Sequence, residues 1–163
     1  MARRLPGPEI AGRSRKRGRR RGAVSGETRP LRPGREGLLE LLANDIVEVH
    51  EEAARLGETW DMGIRDRGSL EYLADHVRRM AREGYPPAEI AAAALHFIVA
   101  EHPFWDANHR TAFETAQLIL RAFGLKIIAP REEIEGRVRG IDREGVREAR
   151  IAAWIRARSE PLR

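Results

Sequence analysis

The apolar residues of this chain recur every three or four positions over most of its length, the spacing of a helix with one buried face. Proline, glycine and polar residues divide this pattern into segments of helix length. We therefore predict an all-α fold, a compact bundle of about six helices. The first three helices are expected at about residues 36–57, 69–83 and 86–101. The fourth is expected from a cap at Asn108 to Phe123, and residues 125–129 are expected to be briefly extended. The fifth helix is expected to begin at about Pro130, and the last to run from a cap at Asp142 to Arg158.

The segment 86–101 is the most apolar of the predicted helices. Pro86 and Pro87 suit a helix start, where a missing N–H group costs nothing. Alanines at 93 and 94 allow neighbouring helices to approach closely, as at the centre of a bundle. The apolar run is too short to span a membrane, so no membrane contact is expected.

Charge divides the chain into two parts. Residues 1–35 carry twelve Lys/Arg and two Glu, whereas residues 36–163 carry eighteen Lys/Arg and twenty-three Asp/Glu. The first part has too little apolar surface to offset the entropy lost on ordering, so we predict a basic disordered tail over 1–35 and a helical domain over 36–163. Such a tail can bind nucleic acid or an acidic surface, or it can be a solvated arm without a partner.

Composition excludes several kinds of chemistry. The chain has no cysteine, so it holds no disulfide, thiol nucleophile or cysteine-bound metal. Its basic beginning lacks the apolar core of a signal peptide. We expect a cytoplasmic protein.

The most chemically rich stretch is His102 to Arg110, which reads H-P-F-W-D-A-N-H-R and joins two predicted helices. If Asn108 caps the second helix, the unpaired N–H groups and positive dipole end there attract phosphate. Arg110 adds a forked cationic donor, and Asp106 is a hard carboxylate ligand suited to magnesium. The imidazole of His102 can accept a proton from a hydroxyl nucleophile. These are the parts needed to transfer a group from a nucleoside triphosphate.

Two other interpretations remain open for this stretch. His102, Asp106 and His109 are ligand types for a transition metal, although Asn108 and Arg110 would then have no role. The nine residues can also be an ordinary polar loop of a helical protein, with Phe104 packing beneath it.

The nine residues resemble the signature of the Fic/Doc family, H-x-F-x-(D/N)-(G/A)-N-(G/K)-R. Residues 63–71, G-I-R-D-R-G-S-L-E, are similar to a stretch of its Doc-type members, and Trp154 fits their last helix. The resemblance implies an all-helical enzyme that modifies other proteins with groups derived from ATP, with magnesium as cofactor. The implied docking region for the target is the loop with Arg65 and Asp66.

The resemblance also implies a role for each residue of the motif. His102 would be the catalytic base, and Asp106 would hold magnesium. Phosphate would be bound by the small Ala107, by Asn108, which closes the anion-binding loop, and by its neighbours His109 and Arg110.

Two positions depart from the AMP-transferring members. They have Gly where this chain has His109, and a second arginine where it has Phe113. The Doc type also lacks that arginine, although it usually has Lys at the His109 position. We therefore expect a Doc-like toxin kinase that transfers the terminal phosphate of ATP to a hydroxyl of a target such as elongation factor Tu. A Fic-type nucleotidyl transferase is the alternative, and a degenerate binding module that uses the basic tail is a third.

The family's inhibitory motif, (S/T)-x-x-x-E-(G/N), has an incomplete counterpart at residues 131–136. That string ends in Glu135-Gly136 but begins with Arg131. We interpret the motif as absent, which implies inhibition by a separate antitoxin.

Overall fold

The computed structural model describes residues 31–59 and 61–163. Of these residues 67% are helical and few are in strands, which confirms the all-α prediction. The elements, in chain order, are α1 (Arg35–Leu38), α2 (Ala43–Arg55), α3 (Arg67–Glu83), α4 (Pro87–Glu101), α5 (Asn108–Ala122), β1 (Leu125–Ile127), α6 (Arg131–Glu144), α7 (Glu148–Arg158) and β2 (Ser159–Pro161).

Helix α4 lies at the centre of the bundle, as its apolar sequence predicts. It contacts α3, α5, α6 and α7, and it buries residues on nearly every face. Each fully buried Ile or Leu stabilises the fold by about 1.5–3 kcal/mol. Even so, no helix in the described residues is both long and apolar enough to cross a membrane. Because α4 is enclosed on all sides, its C-terminal end has a fixed position.

Helix α5 packs beside α4 and also contacts α2, α6 and β1. The buried Gln117 on α5 accepts a hydrogen bond from the Ile127 N–H (2.9 Å) and donates one to the Ile127 carbonyl (3.3 Å). One side chain thereby satisfies both backbone groups of a residue in β1. The strand is also paired antiparallel with β2, with Lys126 opposite Glu160, a pairing that the sequence did not suggest.

The first predicted helix, residues 36–57, is wrong as a single element. The chain forms α1, turns over residues 39–42, and starts again as α2. The restart has a local cause, because the Asp45 carboxylate accepts a hydrogen bond from the Leu42 N–H (2.8 Å). A carboxylate on the first turn also interacts favourably with the helix dipole.

The predicted cap at Asp142 is also wrong. Asp142 lies inside α6, which ends at Gly145 in the left-handed conformation (φ 64°), and α7 begins after Arg147. Within α7, the residues Ile151, Trp154 and Ile155 are buried.

Most of the predicted basic tail, residues 1–30, lies outside the described residues. Its last residues belong to the packed structure. Leu31 packs against the core, Gly34 donates a hydrogen bond to the Ala122 carbonyl (2.5 Å), and Arg35 begins α1. The helical domain therefore starts a few residues before the predicted boundary at residue 36.

We predict that Gln117→Ala lowers the free energy of unfolding by about 1–3 kcal/mol, because the N–H and C=O groups of Ile127 lose their partner in a buried place. Urea denaturation measures the change. Arg121→Ala, at an exposed position of the same helix, is the matched control and should stay within about 0.5 kcal/mol of wild type. Equal stability of the two variants would contradict the prediction.

Candidate active site

The predicted active-site loop begins where α4 ends. His102 follows the last turn of α4 in the left-handed conformation (φ 46°, ψ 61°), and its N–H donates to the Ile98 carbonyl (3.1 Å). For a residue other than glycine, the left-handed conformation costs about 1–3 kcal/mol of conformational free energy. Residues in such conformations cluster at functional sites. The turn directs the chain out of the bundle and leaves the His102 side chain 46% exposed.

Asn108 closes the loop with two buried hydrogen bonds. Its amide donates to the Phe104 carbonyl (2.9 Å), and its oxygen accepts from the Phe104 N–H (3.1 Å). The prediction that Asn108 caps α5 is wrong, because Ala107 is the N-cap residue and Asn108 is the first residue of the helix. A side chain that reaches back across the loop cannot also accept from the next turn.

Phe104 lies beneath the loop, where it is 1% exposed, as the sequence predicts. Its ring stacks on the imidazole of His50, with centroids 3.7 Å apart and an angle of 7° between the planes. His50 Nδ1 shares a hydrogen bond with the hydroxyl of Thr111 on α5 (2.9 Å). The loop therefore rests on a layer that joins α2 to α5. Sequence reasoning missed His50, since a lone histidine on a helix carries no signal of such a role.

The start of α5 offers a cradle for an anion. Ala107 is left-handed (φ 59°) and Asn108 is helical, a combination in which successive N–H groups converge on one point. The first helical bond runs from the Thr111 N–H to the Ala107 carbonyl, so the N–H groups before it have no helical acceptor. Ala107 itself donates to the Asp106 carboxylate (2.6 Å).

A cavity of about 710 Å³ opens over this cradle. Its lining includes every predicted residue of the motif loop, namely His102, Asp106, Ala107, Asn108, His109 and Arg110. The volume suits a ligand of nucleotide size. The structure thus brings the predicted base, magnesium ligand and phosphate-binding residues to one opening.

Arg110 is held at the edge of the cavity by α2. Its guanidinium donates to the Ala53 carbonyl (2.7 Å) and lies against Gly57, where a Cβ atom would come within 1.9 Å of it. Only glycine at residue 57 leaves room for this arrangement. The guanidinium is therefore held against the C-terminal end of α2, at Ala53 and Gly57, which do not line the cavity.

His109 is paired with Asp142 of α6. The distance from His109 Nε2 to Asp142 Oδ2 is 2.7 Å, and His102 Nε2 lies 3.8 Å from the same oxygen. Partial burial raises the pKa of Asp142, but the hydrogen bond and charge of His109 lower it more, so the net pKa is below its usual value. Sequence reasoning placed Asp142 at a helix cap and missed this contact.

The far wall of the cavity is formed by α6. Arg131, Glu135 and Arg139 line it, as does Phe113 of α5. Arg131 donates a hydrogen bond to Glu135 (2.8 Å). These two residues of the incomplete inhibitory motif at 131–136 therefore form an ion pair within α6. Arg139 carries no motif that would have identified it.

The predicted docking loop pairs with the motif. Ile64 and Phe104 form an isolated antiparallel bridge, and the N–H groups of Arg65 and Asp66 both donate to the Pro103 carbonyl (2.8 and 3.0 Å). The Arg65 side chain donates to the carbonyls of Glu101 and His102, and Asp66 caps α3 by accepting from Ser69. Both side chains thus have structural roles, and their part in docking a target stays a prediction.

The motif loop and the cavity agree with a match to a known protein family. The model of the Fic/DOC family matches residues 38–120, just over half of the chain. The chain therefore belongs to the Fic/DOC family, whose members are generally transferases that modify proteins with ATP. A search of curated proteins found no match. The matched region includes the whole motif loop but ends before α6, so Asp142 and the far wall of the cavity lie outside it.

We predict that Asn108→Ala lowers the free energy of unfolding by about 1–3 kcal/mol, because the backbone groups of Phe104 are left unpaired in a buried place. Urea denaturation provides the measurement. Trp105→Ala removes a side chain that is 60% exposed from the same loop and should have a smaller effect. The prediction fails if the two variants are equally stable.

A second prediction concerns pH. Burial lowers the pKa of His50 from 6.5, while the nearby backbone of Met62 and the charge of Asp106 oppose the shift. The unfolded chain then binds a proton more readily than the folded one, so stability is full above about pH 6.5 and falls as the pH drops toward the folded-state pKa. His50→Gln should flatten the loss of stability between about pH 7 and pH 5, measured by urea denaturation. Identical pH profiles for the two proteins would refute this.

Proposed function

We propose that this protein is a Doc-like kinase, which transfers the terminal phosphate of ATP to a hydroxyl of another protein. The observation that supports it most is the closed loop of Phe104–Asn108, which presents the start of α5 to a cavity beside the exposed His102. Preorganised N–H donors stabilise negative charge on phosphate without reorganising during the reaction.

His102 is the proposed general base. It lines the cavity and is open to solvent, so a hydroxyl of a bound protein can reach it. In the proposed step the hydroxyl oxygen attacks the γ-phosphorus, the bond to the bridging oxygen breaks, ADP leaves, and the hydroxyl proton passes to His102. The Asp142 carboxylate, 3.8 Å from His102 Nε2, stabilises the imidazolium that results.

Asp106 is the residue that would hold magnesium. It fits this ion because it offers a hard carboxylate oxygen on the cavity wall, next to the anion cradle. Magnesium bound there would neutralise charge on the phosphates of ATP. Arg110 and the N–H groups at the start of α5 orient the phosphates from the other side.

The position of Phe113 supports phosphate transfer over nucleotide transfer. This residue stands where AMP-transferring members have a second arginine, and it lines the cavity with an apolar ring. The alternative is attack on the α-phosphorus with release of pyrophosphate. Arg139 and Arg131 favour it to some extent, because they supply cations from α6 that can replace the missing arginine.

The target and the regulation are proposed from the resemblance to Doc-type toxins. A translation factor such as elongation factor Tu is the proposed target, in the cytoplasm, and a separate antitoxin is the proposed inhibitor. A competing function of another class is nucleic-acid binding by the basic segment within residues 1–35, without catalysis.

The test is incubation of the full chain and elongation factor Tu with magnesium and ATP labelled in either the γ or the α position. We expect label on the target from γ-labelled ATP alone. His102→Ala should reduce the rate by about 10²–10⁴-fold. His76→Gln, which changes a histidine of α3 outside the cavity, is the matched control and should leave the rate unchanged.

Label from α-labelled ATP would show nucleotide transfer instead. Transfer that survives His102→Ala would remove His102 from the mechanism. If no label appears on this target or on any protein of a cell extract, while removal of residues 1–30 abolishes binding to nucleic acid, the competing function is correct.

A further inference from the structure

Three side chains, carried by three different parts of the fold, converge at the edge of the cavity. His102 follows α4, His109 lies in the first turn of α5, and Asp142 projects from α6. Their ligand atoms all lie within 4.8 Å of one another. The two imidazole rings are 6.3 Å apart between centroids and are inclined by 60°, so both can direct a nitrogen at one point.

The distances suit a single metal ion. At bond lengths of about 2.0–2.1 Å, tetrahedral ligand atoms are separated by about 3.4 Å. The distances from Asp142 Oδ2 to the two Nε2 atoms, 2.7 Å for His109 and 3.8 Å for His102, lie on either side of that value. Small rotations of partly exposed side chains bring all three into position, since their exposed fractions are 46%, 41% and 27% for His102, His109 and Asp142.

The ligand types select the class of metal. Two imidazoles and one carboxylate suit zinc and other late first-row transition metals, whereas magnesium prefers oxygen ligands alone. Three protein ligands leave at least one position open to water or to a phosphate oxygen. The carboxylate in this group is Asp142, not the Asp106 that the sequence suggested for such a site.

The proposed reaction uses only one of these contacts, that of His102 with Asp142. A base requires at most one carboxylate partner, and here a second imidazole binds that carboxylate more closely than His102 does. An ion pair of His109 with Asp142 accounts for two of the residues but not for the approach of His102 to the same oxygen. Asp142 also lies outside the region that matches the family.

We propose that His102, His109 and Asp142 form a binding site for a transition metal cation of the zinc class, separate from the magnesium ligand Asp106. A metal bound there occupies the Nε2 lone pair of His102. If the proposed function is correct, the metal therefore inhibits transfer by removing the base, a consequence that rests on that function while the binding site does not.

The first experiment measures binding directly and needs no nucleotide or target. Zinc is titrated into the full-length, metal-free protein at neutral pH, and heat and native mass are recorded. We expect one tightly bound zinc per chain, not displaced by excess magnesium. His109→Gln and Asp142→Asn should each weaken binding by about 10-fold or more. Cobalt as a substitute should give the stronger visible absorption of a four- or five-coordinate site, which reports the coordination number.

His76→Gln is the control, because it removes a histidine outside the cavity and should leave zinc binding unchanged. Thermal denaturation of each metal-free variant checks that the fold is retained. Zinc binding with the same affinity in His109→Gln, Asp142→Asn and wild type would overturn the site. So would the absence of a stoichiometric zinc in folded wild type.

The second experiment separates the site from its consequence. Transfer from labelled ATP is measured with zinc at a concentration that saturates wild type but not His109→Gln. We expect zinc to inhibit wild type by a larger fraction than His109→Gln, with each rate compared with that of the same protein without zinc. If neither protein transfers label even without zinc, the proposed function fails, whereas the titration still decides whether the metal site exists.

Discussion

The pair of hydrogen bonds between the Asn108 side chain and the Phe104 backbone is the constraint on which the rest of the site depends. These bonds hold the beginning and end of a five-residue loop together, so the start of α5 meets the cavity in a fixed direction. Phe104 in turn is held from below by His50. Since the loop already has its shape, a bound anion does not lose binding energy by ordering it.

The cavity has two walls of different origin. One is the motif loop with the start of α5, which belongs to the region shared with the Fic/DOC family. The other is α6, which contributes Arg139 and the paired Arg131 and Glu135. The first wall carries the residues of the nine-residue motif. The second determines the charge and shape that a ligand meets, and there this chain differs from what the motif alone implies.

The sequence predicted the parts of the structure that have a local cause. Helix periodicity located α3, α4 and α5, and the motif located the cavity. The break between α1 and α2 was missed because the apolar pattern continues through it, whereas the restart depends on one Asp45 carboxylate. The resemblance implied that Asn108 closes the loop, and its side chain makes two hydrogen bonds across the loop to Phe104. Capping rules alone predicted that Asn108 is the N-cap of α5, whereas Ala107 is the N-cap. Asparagine is common both at N-caps and in loops where its side chain bonds to nearby backbone, so its identity does not decide between the two.

Contacts between distant residues could not be predicted in the same way. Asp142 is 33 residues from His109, and nothing in their sequence spacing indicates that they meet. Asp142 also fitted a helix-cap pattern, which gave it a local explanation. The role of His50 could not be predicted because no local pattern marks this residue, whose neighbours on α2 form an ordinary apolar face. Both residues are recognised only once the packing of α2 and α6 against α5 is known.

The left-handed backbone of His102 limits which residues can stand at that position at all. At φ 46° a side chain branched at Cβ meets its own backbone, so valine, isoleucine and threonine are excluded on steric grounds. Asparagine, aspartate and glycine are tolerated there, but none of them is an imidazole. The backbone conformation therefore restricts which amino acids can replace His102. The chemical requirement for an imidazole applies only within that restricted set.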